Sequence, residues 1–425
     1  MTTSTTLDVR HITDDDIPQW TRTWNAGYLR PTAAGDCDRM RETLAGDRVI
    51  GAFDRDLCVG TYRSSAQELT VPGGAFLPAA AISKVSVAGT HRRRGLLGQM
   101  VDKDLRDAVE RDVPIVVLDA AQYPLYGRFG FGPATSMAWF EIDVHRAGLD
   151  RRHTDDAQHI ELVDRDTYFK LVPEAYERFR TRQPGALRRD PQWWADVTGQ
   201  GREPGSSWTE PFYAVHRDED TGQVDGLMCF TAEETWDAML PRTPLHVRDL
   251  VGLSPTAERA LVRYAVTADW VSTVQLPYRA PDTLAPQWLG DPRAARITAM
   301  SDYMWLRILD ARRALSARTY ATEGSLVLRI DDPAGHADGT WRLEGGPDGA
   351  TCLPTARPVD ITLHVRDLAC LYLGDESATR LAQLGRVREE REGALARADA
   401  MFRTGRRPWS PRASTGVNPR QARPS

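Results

Sequence analysis

Residues 81–98 read AISKVSVAGTHRRRGLLG, and they carry the strongest structural signal in the sequence. Its first eight residues alternate small or apolar side chains with polar ones, which predicts a β-strand over residues 81–88. The turn Arg92-Arg93-Arg94-Gly95 follows. Apolar residues then recur at helical spacing from Leu96 to Val109, and residues 114–118 (PIVVL) form the short apolar run of a buried strand. The sequence therefore predicts a strand, an arginine-glycine turn, an amphipathic helix and a second strand.

This turn has the composition of a phosphate-binding loop. Backbone N–H groups at the start of a helix bind anions, Gly95 lets the backbone approach closely, and arginines add charge-assisted contacts. The turn matches neither the P-loop pattern G-x-x-x-x-G-K-[ST] nor the dinucleotide pattern G-x-G-x-x-G. On its own, the turn is equally compatible with a solvated basic cap on a helix.

The neighbouring segments continue the α/β pattern. Residues 16–20 begin a helix, and the turn Asp54-Arg55-Asp56 joins two short apolar runs, 49–53 and 57–62, into a predicted hairpin. Residues 245–276 repeat the order strand, helix, strand, with Ser254-Pro255 suited to a helix start. The turn of this second unit, Leu253-Ser254-Pro255-Thr256-Ala257, has no glycine, and the first arginine after it is Arg259. It is either a duplication that has lost the anion-binding loop or a coincidental α/β unit.

Beyond residue 310 the pattern predicts a separate α+β domain. We expect a helix over 311–318, strands at 325–330, near 339–343 and at 360–365, and one long charged helix over 378–402. Residues 389–392 (EERE) would lie on the solvated face of that helix. After Pro408 the chain is rich in Pro, Ser and Arg, which predicts an unstructured tail.

Composition restricts the class of protein. The 425 residues, 41% of them hydrophobic, suggest several globular domains, and the net charge of −5 does not favour nucleic-acid binding. Five cysteines without a C-x-x-C pair argue against a metal site or a disulfide framework. We find no signal-peptide pattern after Met1 and no apolar run of membrane-spanning length, so we expect a cytoplasmic protein with no metal and no membrane partner.

Two motifs together resemble those of a known family. The turn resembles motif A of the GNAT N-acetyltransferases, Q/R-x-x-G-x-G/A, with Arg92, Gly95 and Leu97 at its three defined positions. The later run Tyr126-GRFGFGPAT resembles motif B, and with HRRRGLL upstream it is similar to the enhanced intracellular survival (Eis) family. Leucine at the Leu97 position is usual in that family. The resemblance covers nearly the whole chain.

The resemblance implies an α/β and α+β fold of tandem GNAT-like domains followed by a sterol-carrier-protein-like domain. The expected boundaries are 1–150 for the catalytic GNAT domain and 151–305 for a degenerate one. The sterol-carrier-protein-like domain would span 306–410, and 411–425 would be a disordered tail. The family also implies a homo-oligomer, specifically a homohexamer.

The resemblance also implies a site and a reaction. Acetyl-CoA would serve as co-substrate, and an amine would attack its thioester. Tyr126 would protonate the leaving thiolate, because a phenol with a pKa near 10 is protonated at neutral pH. The implied cofactor-binding residues are Val85, Ser86, Val87, Arg92, Arg93, Arg94, Gly95, Leu96, Leu97, Gly98, Ala121 and Gln122.

The general base is the point at which this chain departs from the family. Relatives use the carboxylate of a terminal phenylalanine, whereas this sequence has Pro408-Trp409-Ser410, continues to Ser425 and keeps Phe402 as an internal residue. Substitute bases are Glu68, His91 or an aspartate of Asp14-Asp15-Asp16. The expected acceptor is a small cationic amine such as an aminoglycoside. The alternatives are a biosynthetic or protein-lysine acetyltransferase and a non-catalytic CoA-binding protein.

Overall fold

The computed structural model describes residues 7–150, 152, 159–197 and 209–411. The first part of the chain alternates strands and helices as predicted. In chain order its elements are β1 (Leu7–His11), α1 (Ile17–Gly27), α2 (Asp36–Leu44), β2 (Arg48–Asp54), β3 (Leu57–Thr70), β4 (Phe76–Val87), α3 (Leu96–Glu110), β5 (Ile115–Asp119), α4 (Tyr123–Tyr126) and β6 (Gly132–Pro133). The hairpin is confirmed, because Asp54 lies opposite Leu57 in the antiparallel pairing of β2 with β3.

The middle of the chain contains a second α/β region. Its elements are β7 (Ser136–Asp143), α5 (Val144–Ala147), β8 (Ile160–Val163), α6 (Arg165–Arg180), α7 (Pro191–Val197), β9 (Phe212–Arg217), β10 (Val224–Ala232), β11 (Trp236–Asp237), β12 (Leu240–Pro241), β13 (Thr243–Gly252), α8 (Pro255–Thr267), β14 (Val271–Arg279) and β15 (Ala295–Asp302). The predicted strand, helix and strand of residues 245–276 are β13, α8 and β14.

The last part of the chain forms the predicted α+β region. Its elements are β16 (Met304–Ile308), α9 (Ala311–Ala317), β17 (Gly324–Asp331), β18 (Gly339–Gly346), β19 (Gly349–Pro354), β20 (Ile361–His364), α10 (Val365–Tyr372), α11 (Ala378–Gln383), β21 (Val387–Glu389) and α12 (Ala394–Phe402). Strands β17 to β21 make one five-stranded sheet in the order β19-β18-β17-β20-β21.

The strands of the two seven-stranded sheets do not follow one another in two consecutive blocks of the chain. The first has the order β1-β2-β3-β4-β5-β16-β6, and the second has the order β15-β7-β14-β13-β10-β9-β8. Strand β7 therefore leaves the predicted 1–150 domain, and β16 returns to the first sheet. The backbone groups at the outer edge of β5 need partners, and β16 supplies them from Met304 opposite Asp119 to Ile308 opposite Ile115.

The chain accordingly divides into two compact units. Among the described residues, the first unit comprises those within 7–69, 76–134 and 304–403, and the second comprises those within 70–75, 135–303 and 404–411. The five-stranded sheet belongs to the same unit as the first sheet. The domain boundary at residue 150 stays a prediction, and the sheet pairing does not follow it, because β7 (Ser136–Asp143) lies in the second sheet.

The predicted long helix over 378–402 is wrong. It is two short helices, α11 and α12, separated by strand β21. Gly385 and Gly393 break it with left-handed φ angles of +69° and +80°. The charged run 389–392 therefore begins in a strand and continues through a turn rather than along a helix face.

The prediction that the chain is unstructured directly after Pro408 is wrong for the next two residues. Trp409 and Ser410 are buried, and the indole Nε1 of Trp409 donates a hydrogen bond to the carbonyl of Tyr278 at 2.7 Å. The predicted disorder beyond residue 411 lies outside the described residues. Phe402 is a buried residue at the end of α12, and its carbonyl accepts a hydrogen bond from Arg318 at 2.9 Å. Within the described ranges, no helix is long and apolar enough to cross a membrane.

Candidate active site

The central feature of the first sheet is a gap between two parallel strands. Strands β4 and β5 pair from Ala79 opposite Ile115 to Ile82 opposite Leu118, and the pairing ends there. Strand β4 continues to Val87, so its last residues extend beyond the ladder. Lys84 has a left-handed φ of +52°, and its carbonyl accepts a hydrogen bond from the Thr61 hydroxyl at 2.8 Å. A ligand lying in this gap could therefore bond to the backbone of residues 85–87.

The arginine-glycine turn follows directly and begins helix α3. Arg93 and Gly95 have left-handed φ angles of +64° and +78°, which brings the chain sharply into the helix. Arg92, Arg93 and Arg94 are exposed. The amides of Leu96, Leu97 and Gly98 lie in the first turn, where a helix has no internal acceptors for its N–H groups. The turn thus has the donors and the positive charge that a pyrophosphate requires.

A buried polar network holds α3 against the sheet, and sequence reasoning missed it. Asp104 is fully buried on the inner face of α3 and accepts hydrogen bonds at 3.1 Å from both Arg48 Nε and the Tyr62 hydroxyl. Arg48 also donates to the Ser64 hydroxyl at 2.6 Å. Three charged residues, Asp102, Lys103 and Asp104, lie between the apolar positions Val101 and Leu105, and the sequence does not show which of them is buried. The network fixes the helix whose N-terminus forms the turn.

Tyr126 ends the short helix α4 and is almost completely buried. Its ring contacts Phe131 edge to face, with 6.0 Å between the ring centroids. Burial, with a smaller contribution from the nearby Tyr28 phenol, raises the pKa of Tyr126 to about 12. The hydroxyl therefore stays protonated at neutral pH, as a proton donor must.

Tyr28 was not predicted from the sequence and stands beside these groups. It follows the last residue of α1, and its hydroxyl lies 3.5 Å from the carbonyl oxygen of Val85. Its ring is 5.8 Å from that of Trp24, and Lys84 Nζ lies 4.0 Å from the centroid of the Trp24 ring. The Arg30 guanidinium is 5.8 Å from the Tyr28 ring. Two aromatic rings and two cationic side chains therefore lie near the end of β4.

The remaining predicted cofactor residues lie in the last part of β4 and just after β5. Ala121 and Gln122 follow β5, are exposed, and lead into α4. Val85 and Val87 are partly buried, whereas the Ser86 side chain is buried. Ser86 would thus contribute its backbone to a ligand rather than its hydroxyl.

The side chains predicted as candidate bases differ in their hydrogen-bond partners and in their burial. Both ring nitrogens of His91 have partners, Asp54 Oδ2 at 3.1 Å and the Thr90 hydroxyl at 2.8 Å, which favours a bracing role. Asp16 accepts from Arg10 and Thr13, and these bonds lower its pKa to about 2. Such a carboxylate is a weak base at neutral pH. Glu68 lies partly buried near the end of β3, and Asp14 and Asp15 are exposed in the turn before α1.

Comparison with known proteins identifies the family of this chain. A family model described as an acetyltransferase (GNAT) domain matches residues 8–134, another of the same description matches residues 185–308, and a sterol carrier protein domain matches residues 311–411. The N-acetyltransferase Eis of Mycobacterium tuberculosis is 33% identical over 343 residues, which are 79% of this chain and 80% of that protein. This chain belongs to the Eis family.

Other relatives agree over a greater length. An uncharacterized N-acetyltransferase of Streptomyces griseus is 49% identical over 415 residues, which are 95% of this chain and 99% of the relative. The crystal structure of Eis1 from Mycobacterium abscessus has a TM-score of 0.83 and 31% identity, and the match covers 97% of this chain and 100% of that one. The predicted fold of two GNAT domains and a sterol-carrier-protein-like domain is confirmed. This Eis family member is an acyltransferase that uses an acyl-CoA to acetylate an amine.

The turn before α8 in the second GNAT domain differs from the arginine-glycine turn before α3 in the first. The helix α8 is capped by Ser254, whose hydroxyl accepts from the amide of Ala257 at 3.0 Å. Glu258 follows in the first turn, is buried, and pairs with Arg279. A Cβ added to Gly252 would lie 2.6 Å from the amide nitrogen of Glu258. A buried acid and a tight turn thus occupy the place where the first domain presents arginines and an open helix end.

Proposed function

We propose that this chain transfers an acetyl group from acetyl-CoA, bound in the gap between β4 and β5, to the amine of a small molecule. The observation that carries the proposal is the gap itself, which opens after Ile82 and Leu118 and leads to the arginine-glycine turn on one side. Tyr126, with a pKa of about 12, is the last residue of α4, the helix that follows β5. Tyr126 is the proposed catalytic residue.

The proposed binding roles follow from the chemistry of each segment. Backbone groups of Val85, Ser86 and Val87 would hold the pantetheine arm by hydrogen bonds like those of an added strand. The amides that begin α3 and the side chains of Arg92, Arg93 and Arg94 would hold the pyrophosphate. Ala121 and Gln122, exposed after β5, would line the other side of the gap.

The reaction breaks the bond between the CoA sulfur and the acetyl carbon and forms a bond between that carbon and the amine nitrogen. The phenol of Tyr126 gives its proton to the leaving sulfur, which becomes the thiol of CoA. The attacking amine loses a proton to a base or to water. The low pKa of Asp16 disfavours that carboxylate for this step, and Glu68, His91, Asp14, Asp15 and a water chain stay candidates.

The acceptor remains a prediction based on the family. The resemblance favours a cationic amine such as an aminoglycoside, with a biosynthetic or protein-lysine acetyltransferase and a non-catalytic CoA-binding protein as alternatives. Arg30 and Lys84 already place positive charge beside Trp24 and Tyr28. This charge supports testing neutral and carboxylate-bearing aromatic amines beside the polycations. A homohexamer in the cytoplasm is proposed from the family alone, and sedimentation would test the assembly.

The experiment is a release assay for CoA thiol with acetyl-CoA and a panel of amines. The panel contains an aminoglycoside, a polyamine, a lysine-containing peptide, a neutral aromatic amine and an aromatic amino acid. We expect amine-dependent thiol release with at least one class, and a product heavier by one acetyl group in mass spectrometry. Acetyl-CoA binding without thiol release for any amine would instead favour a CoA-binding protein.

A further inference from the structure

The turn that carries Tyr126 is attached to the C-terminal, sterol-carrier-like part of the same unit. After Tyr126 the chain forms a 3₁₀ turn over Gly127–Phe129. The carbonyl oxygen of Phe129 accepts a hydrogen bond from Arg307 Nε at 2.9 Å. The Arg307 side chain is completely buried, so this bond is shielded from water.

Arg307 is held in turn by one acid from the C-terminal domain. Its Nη2 lies 2.7 Å and 2.8 Å from the two carboxylate oxygens of Asp332, which follows β17. Asp332 is also buried and accepts from the backbone amides of Ala334 and Ala337. Although burial opposes it, the charge of Arg307 keeps the pKa of Asp332 below its usual value. Removing the carboxylate would leave a buried guanidinium without its countercharge, which is costly.

Two of the three glycines that follow Tyr126 in this motif, Gly130 and Gly132, have a physical reason in this attachment. Gly130 has a left-handed φ of +84°, and a Cβ there would lie 2.7 Å from Arg307 Nε and 2.9 Å from Val365. A Cβ on Gly132 would overlap the carbonyl oxygen of Arg366 in α10. The motif-B turn can therefore lie directly against α10 and Arg307 only because both residues are glycine.

We infer that Asp332 is a positioning residue for acetyl transfer: through Arg307 and the Phe129 carbonyl it fixes the turn that aims Tyr126. The inference rests on the proposed function of Tyr126. According to this inference, a residue of the C-terminal domain contributes to acetyl transfer, and this contribution does not require that the domain bind a ligand. A proton donor displaced by about 1 Å can lose on the order of 100-fold in rate, so a small release of the turn is enough.

The test compares Asp332→Asn with a matched control in the same domain. Asp360 is also a buried aspartate, and it accepts from the amide of Val327 at 2.8 Å. Asp360→Asn therefore reports the general cost of neutralising a buried acid there. We expect Asp332→Asn to lower kcat by roughly 10- to 100-fold while the KM for acetyl-CoA changes by less than about threefold. Asp360→Asn should leave kcat unchanged even if the protein melts earlier.

A second arm separates positioning from loss of folded enzyme. In a Tyr126→Phe background, Asp332→Asn should lower kcat by less than about twofold further, because the proton it positions is already gone. Amide exchange in the peptide 123–132 should accelerate in Asp332→Asn and not in Asp360→Asn. Unchanged kcat, an equal loss in both backgrounds, or unchanged exchange would each overturn the inference.

The same experiment distinguishes failure of the proposed function. If wild-type protein transfers no acetyl group to any amine of the panel, or if Tyr126→Phe keeps full turnover, the assignment of Tyr126 fails. Amide exchange in 123–132 does not depend on turnover. It therefore still decides whether Asp332 orders the turn.

Discussion

The backbone of Gly27 lies against the side chain of Ser86. A Cβ added to Gly27 would overlap the Ser86 hydroxyl and lie 2.8 Å from the Ser86 Cβ. Gly27 is the last residue of α1, and Ser86 is the middle residue of the proposed pantetheine segment of β4. The missing side chain allows α1 to approach β4 closely, and this approach places Tyr28 beside Val85.

Gly27→Ala should destabilise the protein even though alanine is the better helix former. Overpacking of this kind costs about 1–3 kcal/mol and should also weaken acetyl-CoA binding, because it moves Ser86. Gly89→Ala is the control, since a Cβ there meets nothing within 4 Å. Thermal unfolding and calorimetry should show that the double variant Gly27→Ala, Ser86→Gly recovers most of both losses. A Gly27→Ala protein with wild-type stability and affinity would contradict the packing argument.

Arg93→Glu should weaken acetyl-CoA binding strongly, and the loss should shrink as salt is raised. The exposed guanidinium is placed at the start of α3, where a pyrophosphate would make charge-assisted contacts. Calorimetry at low and high ionic strength measures the effect. Arg111→Glu reverses the same charge just beyond the C-terminal end of the same helix, and it should change affinity little. Equal effects of the two reversals would remove the pyrophosphate assignment.

Asp16→Asn should lower stability at neutral pH by about 1 kcal/mol, a figure reduced because Arg10 is partly exposed. The pKa of Asp16 falls from 3.8 to about 2 in the folded protein, chiefly through Arg10. The carboxylate therefore stabilises the protein above pH 3.8, and this contribution is lost as the pH falls through about 2. Denaturant unfolding of both proteins between pH 4 and pH 2 should show their difference shrinking. Asp15→Asn, exposed in the same turn, should show no such trend.

The sequence predicted those parts of the fold whose signal is local. The alternation of residues 81–88 and the helical spacing from Leu96 onward correspond to β4 and α3. The helix over 378–402 failed because a charged, alanine-rich pattern outweighed Gly385 and Gly393, whose left-handed φ angles end the helical path. The sequence shows that a glycine lies inside a helical pattern. It does not show whether the φ angle of that glycine is helical or left-handed.

Non-local pairings left no signal that a single sequence could reveal. The exchange of β7 and β16 between sheets depends on strand edges far apart in the chain. The contact of Arg307 with Phe129 and Asp332 joins residues separated by 178 and 25 positions in an arginine-rich chain. Tyr28 was missed for the same reason, because only the approach of α1 to β4 brings its hydroxyl to Val85.

Deprotonation of Tyr126 should not affect the pH profile of kcat near neutral pH. A general acid acts while protonated, so its loss lowers the rate as the pH rises through its pKa. Burial raises the pKa of Tyr126 to about 12, which moves that loss well above neutrality. A fall in kcat on the acid side would instead reflect protonation of the base or of the amine itself.

The most direct test of the account compares wild-type protein with Tyr126→Phe under conditions where acetyl transfer limits the rate. The substitution keeps the ring that packs on Phe131 and removes only the hydroxyl. We predict that kcat falls by about 10²- to 10⁴-fold with acetyl-CoA and the best amine of the panel, while calorimetry shows acetyl-CoA affinity within about threefold of wild type. Full turnover by the Tyr126→Phe protein would contradict the account and leave Tyr126 a packing residue.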